Sequence, residues 1–222
     1  MKNKLMKFYI LIVTISFLLV GCMGGPSPEE QIYETLEKVV SLEKNFEEQQ
    51  APLIELEKQE RSLYDEILAL GMKEFEKIVT LSDEALAIVD QREERLNSEN
   101  ESIKSSKEEF QKVEQHIEEI KDEKVKEEAN ELVSIMNQRY ESYGDLYSNY
   151  NEAIKLDRQL YEMFKNEKLT LEELEAQITS INETYEKVVA ANDTFNSLTE
   201  QYNKAKVGFY ESAGLEVVYK EE

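Results

Sequence analysis

The chain has 222 residues, 48 acidic and 26 basic, for a net charge of −22, with one cysteine, one histidine, no tryptophan, 7 glycines and 3 prolines. A single cysteine excludes an internal disulfide framework and a multi-cysteine zinc site, and this acidity repels phosphate backbones and argues against nucleic acid as a partner. So few turn-forming residues argue against a many-stranded sandwich or barrel. In chain order, the first element is a positive start at Lys2, Lys4 and Lys7, followed by an uncharged, mostly apolar run from Phe8 to Val20. That run is shorter than the about 20 residues a membrane-spanning helix needs, and it suits the core of an export signal.

The run closes on Leu19-Val20-Gly21-Cys22. These residues resemble the bacterial lipobox: a leucine three positions before the cut, a small residue just before it, then the cysteine. The resemblance implies cleavage of residues 1–21 between Gly21 and Cys22, lipid attachment to the Cys22 sulfur, and acylation of the new amino group. Two or three acyl chains hold a protein on a membrane stably where one does not, so the expected location is the extracytoplasmic face of the cell membrane. Removing residues 1–21 takes away three lysines and no acid, leaving 23 basic against 48 acidic residues, a net −25. Residues 22–28 then form the lipidated end and a tether. Its six residues from Met23 to Ser27 and Pro28 reach at most about 21 Å.

From Glu29 onward apolar residues recur at alternating steps of three and four, the signature of helices with a core-facing seam. The first stretch, 29–70, carries Ile32, Leu36, Val39, Phe46, Leu53, Leu56, Leu63 and Ile67, with Pro52 expected to kink it or to start a new helix, and Gly71 as its stop. Residues 72–81 read as a connector, and Ser82 before Asp83 and Glu84 as the cap of a second helix, 83–120. Its seam reads Leu86, Val89, Leu96, Ile103 and Phe110, with polar interruptions at Glu93, Asn100 and Lys107. A third helix, 123–165, follows a break near Lys121–Lys124 capped by Asp122. A fourth, 171–212, opens on a Thr170/Glu173 capping box and ends at Ala213-Gly214. Each of these is about 60 Å long, and short links between them imply one all-α domain over 29–222, an antiparallel up-and-down four-helix bundle with coiled-coil-like seams. A long dimeric coiled coil is the rival arrangement of the same pattern.

Few residues suggest chemistry. His116 is the one histidine and lies beside the seam, no Glu-x-x-His pair offers a di-iron site, and no glycine-rich loop could cradle a phosphate. Acid pairs such as Glu93-Glu94 and Glu172-Glu173 read as solvated helix faces. No catalytic residue, cofactor or metal site is indicated. Two polar patterns stand out. Tyr140, Tyr143, Tyr147 and Tyr150 share one face of the third helix. They read as a core seam with hydroxyls at its edge, the alternative being an aromatic platform for sugar rings. On the fourth helix Asn192, Asn196, Thr199, Asn203 and Lys206 step by four and three. They read as a polar layer fixing register, with the tyrosine hydroxyls as candidate partners, the alternative being a ligand groove.

The lipobox, Arg139-Tyr140, and above all Phe195-Asn196-x-x-Thr199-x-x-Tyr202-Asn203-x-x-Lys206-x-x-Phe209-Tyr210 are similar to the YkyA-type family of cell-wall-binding lipoproteins of Gram-positive bacteria. The similarity runs along essentially the whole chain. It implies an exported, lipid-anchored, helical, non-enzymatic protein, and the family offers no catalytic residues to carry over. The implied partners are the membrane, through the anchor, and the cell wall with its peptidoglycan. An envelope scaffold protein acting through helix-mediated contacts, or assembling as a homo-oligomer, is the second reading. The anchor is tested by replacing its sulfur: Cys22→Ala is expected to move the protein from the membrane fraction to the soluble fraction, read by immunoblot after fractionation.

Overall fold

The computed structural model describes residues 25–70 and 72–215. The export segment, the lipobox residues Gly21 and Cys22, and Gly71 lie outside them. The described chain is helical and contains no strand. No helix among the described residues is long and apolar enough to cross a membrane.

Helix α1 spans Pro28–Ala69. Ser27, which the sequence reading places in the tether, is its N-cap. The Ser27 hydroxyl accepts from the Glu30 backbone N–H at 3.2 Å, and the Glu30 carboxylate accepts from the Ser27 N–H at 2.7 Å. This reciprocal box satisfies donors that the first turn leaves without intrahelical partners, and Pro28 fits there because the first turn needs no N–H from it. Pro52 lies inside α1, and the helix runs on through it. The missing N–H removes the bond to the Glu48 carbonyl, while Leu53 and Leu56, just beyond, are buried and hold the chain to the core.

The second helix departs from its expected start. A 3-10 turn at Met72–Glu74 leads directly into α2, Phe75–Phe110. Ser82 is therefore an interior residue and not a cap: it is fully buried, and its hydroxyl donates to the Ile78 carbonyl at 2.8 Å. The reason is the apolar register, since Ile78, Leu81 and Ala85 continue the buried stripe toward the N-terminus. The helix also ends earlier than expected. It stops at Phe110, and Val113–Ile117 form a separate single-turn helix, α3, packed on α1 and on the next long helix. No glycine or proline marks this break. Beyond it Val113, Ile117 and Ile120 are all buried.

Helix α4 spans Glu123–Phe164 and is capped by Asp122, whose carboxylate accepts from the N–H groups of Lys124 and Val125 at 2.9 and 3.2 Å. Helix α5 spans Leu171–Ser212 and opens on a Thr170/Glu173 capping box. It closes through Gly214 at φ +67°, which lets the Leu215 N–H reach the Tyr210 carbonyl at 2.9 Å. Left-handed backbone of this kind is cheap only for glycine.

The long helices alternate in direction. α1 packs on α2, α4 on α5, and α2 on α4, giving an all-α up-and-down four-helix bundle. Its apolar core falls into two parts. The part nearer the start of α1 contains Ile32, Leu36, Phe46, Met136, Phe195 and Phe209. The far part contains Ile67, Ile78, Val89, Leu96, Ile154 and Phe164.

Candidate functional site

Each part of the core meets a buried charged layer, and each layer draws on all four long helices. In the far half the centre is Arg92 of α2, 1% exposed. One guanidinium nitrogen donates to Glu60 of α1 at 2.5 Å and to Asp157 of α4 at 2.9 Å. The other donates to Tyr185 of α5 at 2.7 Å and to Tyr150 of α4 at 3.2 Å. Tyr185 in turn donates to Asp157 at 2.6 Å, and Tyr150 donates to Glu57. The second layer is centred on Arg139 of α4. Its guanidinium grips Glu43 of α1 with two parallel bonds, at 2.8 and 2.7 Å. Its third nitrogen donates to Thr199 of α5 at 2.9 Å, and its Cζ lies over the Phe195 ring, 4.6 Å from the ring centre. Ser106 of α2 donates to Glu43 at 2.6 Å and is bonded to the Tyr140 hydroxyl, also at 2.6 Å. Bidentate Arg–carboxylate pairs of this kind are geometrically strict.

Burial shifts the titration of several of these groups. It pushes the Glu60 carboxyl up to about 7, against the pull of Arg92 and with a further push from Asp157. Glu99, 3% exposed on α2, is pushed up to about 8 by burial, offset in part by the hydrogen bond it receives from Gln50. Lys206, 5% exposed, is pulled down by burial even though Glu37 and Glu43 favour its charge. Its ammonium sits 5.8 Å from the centre of the Tyr202 ring. Among the described residues no group of three or more His, Cys, Asp or Glu is arranged to hold a metal ion.

The structure separates the residues singled out in the sequence. Tyr140 and Tyr143 are buried. Tyr143 packs edge-on against Phe46 and leans on Phe195, with ring centres 5.8 and 5.6 Å apart. Their faces are covered, which removes both from any sugar-stacking platform. Tyr147 is half-buried and donates to Asn97 at 2.8 Å, and Tyr150 belongs to the Arg92 layer. On α5 the amides do not reach the tyrosine hydroxyls: Asn196 donates to Asn192 on its own helix at 3.1 Å, and Asn203 is half-buried. The residue of that line joined to α4 is Thr199, through Arg139. The polar interruptions of α2 also move by one residue. Beyond Ser82, the buried polar positions are Arg92, Glu99, Ser102 and Ser106, whereas Glu93 lies at the rim and accepts from Arg158 at 2.7 Å. Arg92 and Glu60 were missed because charge reads as surface. Spacing was the available signal, since Val89–Arg92–Leu96 and Leu53–Glu60–Ile67 keep the steps of the seam.

Above the Arg92 layer the bundle opens. Near the start of α1, that helix and α5 close on each other through Tyr33–Tyr210 and Phe46–Phe195, with ring centres 5.1 and 5.7 Å apart. In the far half they part to leave a groove of about 970 Å³. Glu57, Lys58, Arg61 and Tyr64 line it from α1 and Ile178, Ile181 and Asn182 from α5, while Arg92, Glu60 and Asp157 form its floor. The floor does not have the form of a hydrolytic carboxylate pair, which leaves room for a substrate oxygen between its members. Here the Arg92 nitrogen occupies that position.

A long antiparallel four-helix bundle with two charged layers and one open helix pair defines the class. The chain belongs to the YkyA family, described as "Putative cell-wall binding lipoprotein", whose model matches residues 27–212. It is 41% identical over 203 residues to the uncharacterized lipoprotein YkyA of Bacillus subtilis (strain 168), covering 91% of each chain. Its fold resembles that of a conserved protein of unknown function from Staphylococcus aureus, solved at 1.6 Å. The TM-score is 0.64 at 16% identity, over 84% of this chain and 97% of that one.

Two measurements test the buried charges. Arg139→Met leaves Glu43 without its partner and is expected to cost about 3–5 kcal/mol in urea unfolding, most of it recovered in the double variant with Glu43→Leu. Glu99 is raised in the folded state, so its contribution to stability is full below the unfolded carboxyl range and is lost as pH rises through about 8. Glu99→Gln is therefore expected to raise the unfolding midpoint at pH 9 and to flatten the fall in stability between pH 6 and pH 9.

Proposed function

We propose that the protein is a lipid-anchored, non-enzymatic protein of the extracytoplasmic membrane face that binds the cell wall through the groove between α1 and α5. Three features support this reading: the lipobox at Leu19–Cys22, membership of the family, and the place of the groove, which is the observation that carries it. The groove-lining residues of α1 lie 26 to 37 positions beyond the helix start, or about 40–55 Å along the bundle. The tether holds the start of α1 near the membrane, so the opening faces outward at the far end. Electrostatics narrows the partner. A body carrying −25 is repelled by anionic wall polymers and by anionic lipids, which favours peptidoglycan peptides with free amines.

The experiment is co-sedimentation of the processed chain, purified in detergent, with isolated cell wall. Pelleting with the wall is the expected result. A chain that stays in the supernatant, yet crosslinks in cells to one envelope protein, would replace this reading with the scaffold one.

A further inference from the structure

Among the described residues the exposed large apolar side chains are Ile54, Leu68, Leu171 and Val189, each between 48% and 71% exposed. All four belong to α1 and α5, the two helices that part in the far half of the bundle. The ring pairs Tyr33–Tyr210 and Phe46–Phe195 set an antiparallel register between these helices. Carried outward, that register brings Val189 within a turn of Ile54 and Leu171 within a turn of Leu68. The helical period also puts Leu171, Ile178 and Val189 on one stripe of α5, about 27 Å long. One exposed apolar residue needs no explanation, but rows of them along an open joint mark a surface for another chain. Between two helix borders, the element that fits is a further helix laid along the opening.

Charge decides what kind of helix. Glu175, Glu186 and Asp193 are exposed on α5. They follow each other at steps of eleven and seven, which puts them in one row beside the apolar stripe. None of the three has an ion-pair partner among the described residues. Surface acids elsewhere are held: Asp90 and Glu93 by Arg158, Glu66 by Lys77, and Asp83 by Lys165. Between Leu171 and Asp193 the one basic residue is Lys187, nine positions from Ile178 and so on the opposite side of the helix. The α1 border is mixed, with Lys58 paired to Glu55 and Arg61 close to Asp65 in sequence. A second copy of the chain would bring the same acid row and the same −25, and like charges repel. We infer that the α1–α5 opening is a docking face for a basic amphipathic helix of another protein. Its apolar side lies on Ile54, Ile178 and Val189, and its lysines or arginines meet Glu175, Glu186 and Asp193. Apolar burial supplies the affinity, while charge sets partner choice and association rate. This inference goes beyond the wall-binding reading and does not rest on it.

The test is fluorescence anisotropy with labelled peptides and the chain without its export segment, residues 23–222, which contains every described residue. One peptide, about 18 residues long to match the stripe, carries leucine at steps of three and four and lysine elsewhere. The other has glutamate in place of each lysine. The lysine peptide is expected to bind, and the glutamate peptide to bind at least about tenfold more weakly. Ile54→Ser with Val189→Ser, both at exposed positions, should weaken the lysine peptide at least about tenfold with an unchanged unfolding midpoint. Glu175→Lys, Glu186→Lys and Asp193→Lys together should weaken it as much. Glu127→Lys, Glu131→Lys and Glu141→Lys, at exposed positions of α4, change the net charge equally and should leave binding within about twofold. No binding of the lysine peptide, equal binding of the two peptides, equal losses in the two triple variants, or full binding by the Ile54→Ser, Val189→Ser variant would overturn the inference. Wall pelleting without peptide binding removes this docking face and keeps the wall as partner. Peptide binding without wall pelleting removes the wall and keeps the face.

Discussion

Two guanidinium groups buried in the core of the bundle set the terms for the rest of the structure. A charge moved from water into a protein interior costs several kcal/mol unless partners surround it, and no single neighbouring helix supplies enough of them. Arg92 gathers Glu60 from α1, Tyr150 and Asp157 from α4 and Tyr185 from α5. Arg139 gathers Glu43 from α1 and Thr199 from α5, with Ser106 of α2 completing the shell. Neither set closes unless all four helices lie at one height. Apolar seams tolerate a slide of one heptad, whereas a bidentate pair does not. The layers fix register, and two separated along the axis fix it better than one.

The same requirement explains what was legible in the sequence. Local signals were readable because their physics is local. The Thr170/Glu173 box and the Asp122 cap are hydrogen bonds within four residues, and both sit where the sequence places them. The helical class and the four-fold repetition follow from apolar periodicity alone. What was lost depended on distant partners. Arg92 reads as a surface residue until Glu60, Asp157 and Tyr185 arrive from three other helices. The one-residue error in the α2 seam, Glu93 in place of Arg92, came from continuing a strict alternation through Val89–Glu93–Leu96, when Val89–Arg92–Leu96 satisfies the same steps. The break at Phe110 could not be read from α2 itself, because no glycine or proline marks it. Ser27 was read as tether because its box partner, Glu30, lies across the expected boundary. The groove has no sequence signature at all: it is where the first and last helices fail to close.

That opening is tied to topology. In an up-and-down bundle each pair of consecutive long helices is joined by a connection, and the first and last are not. Here the α1–α5 pair is held by rings and by the Tyr210–Glu37 bond at 3.2 Å near the start of α1, and nothing comparable holds it beside Asn182. Side chains there are left facing space, and a charged layer lies directly beneath. A bundle can hold a binding surface at this joint with little disturbance of its other three packed faces.

The layers also have a mechanical meaning. Both lie across the helix axis, and both include a side chain of α1, the first helix of the bundle. A pull along that helix loads Glu43, Glu57 and Glu60 together, in shear, and does not peel one contact after another. Bonds loaded in parallel share a force that would break them one by one in series. The bundle is therefore stiffest along its length, against a force that pulls its two ends apart.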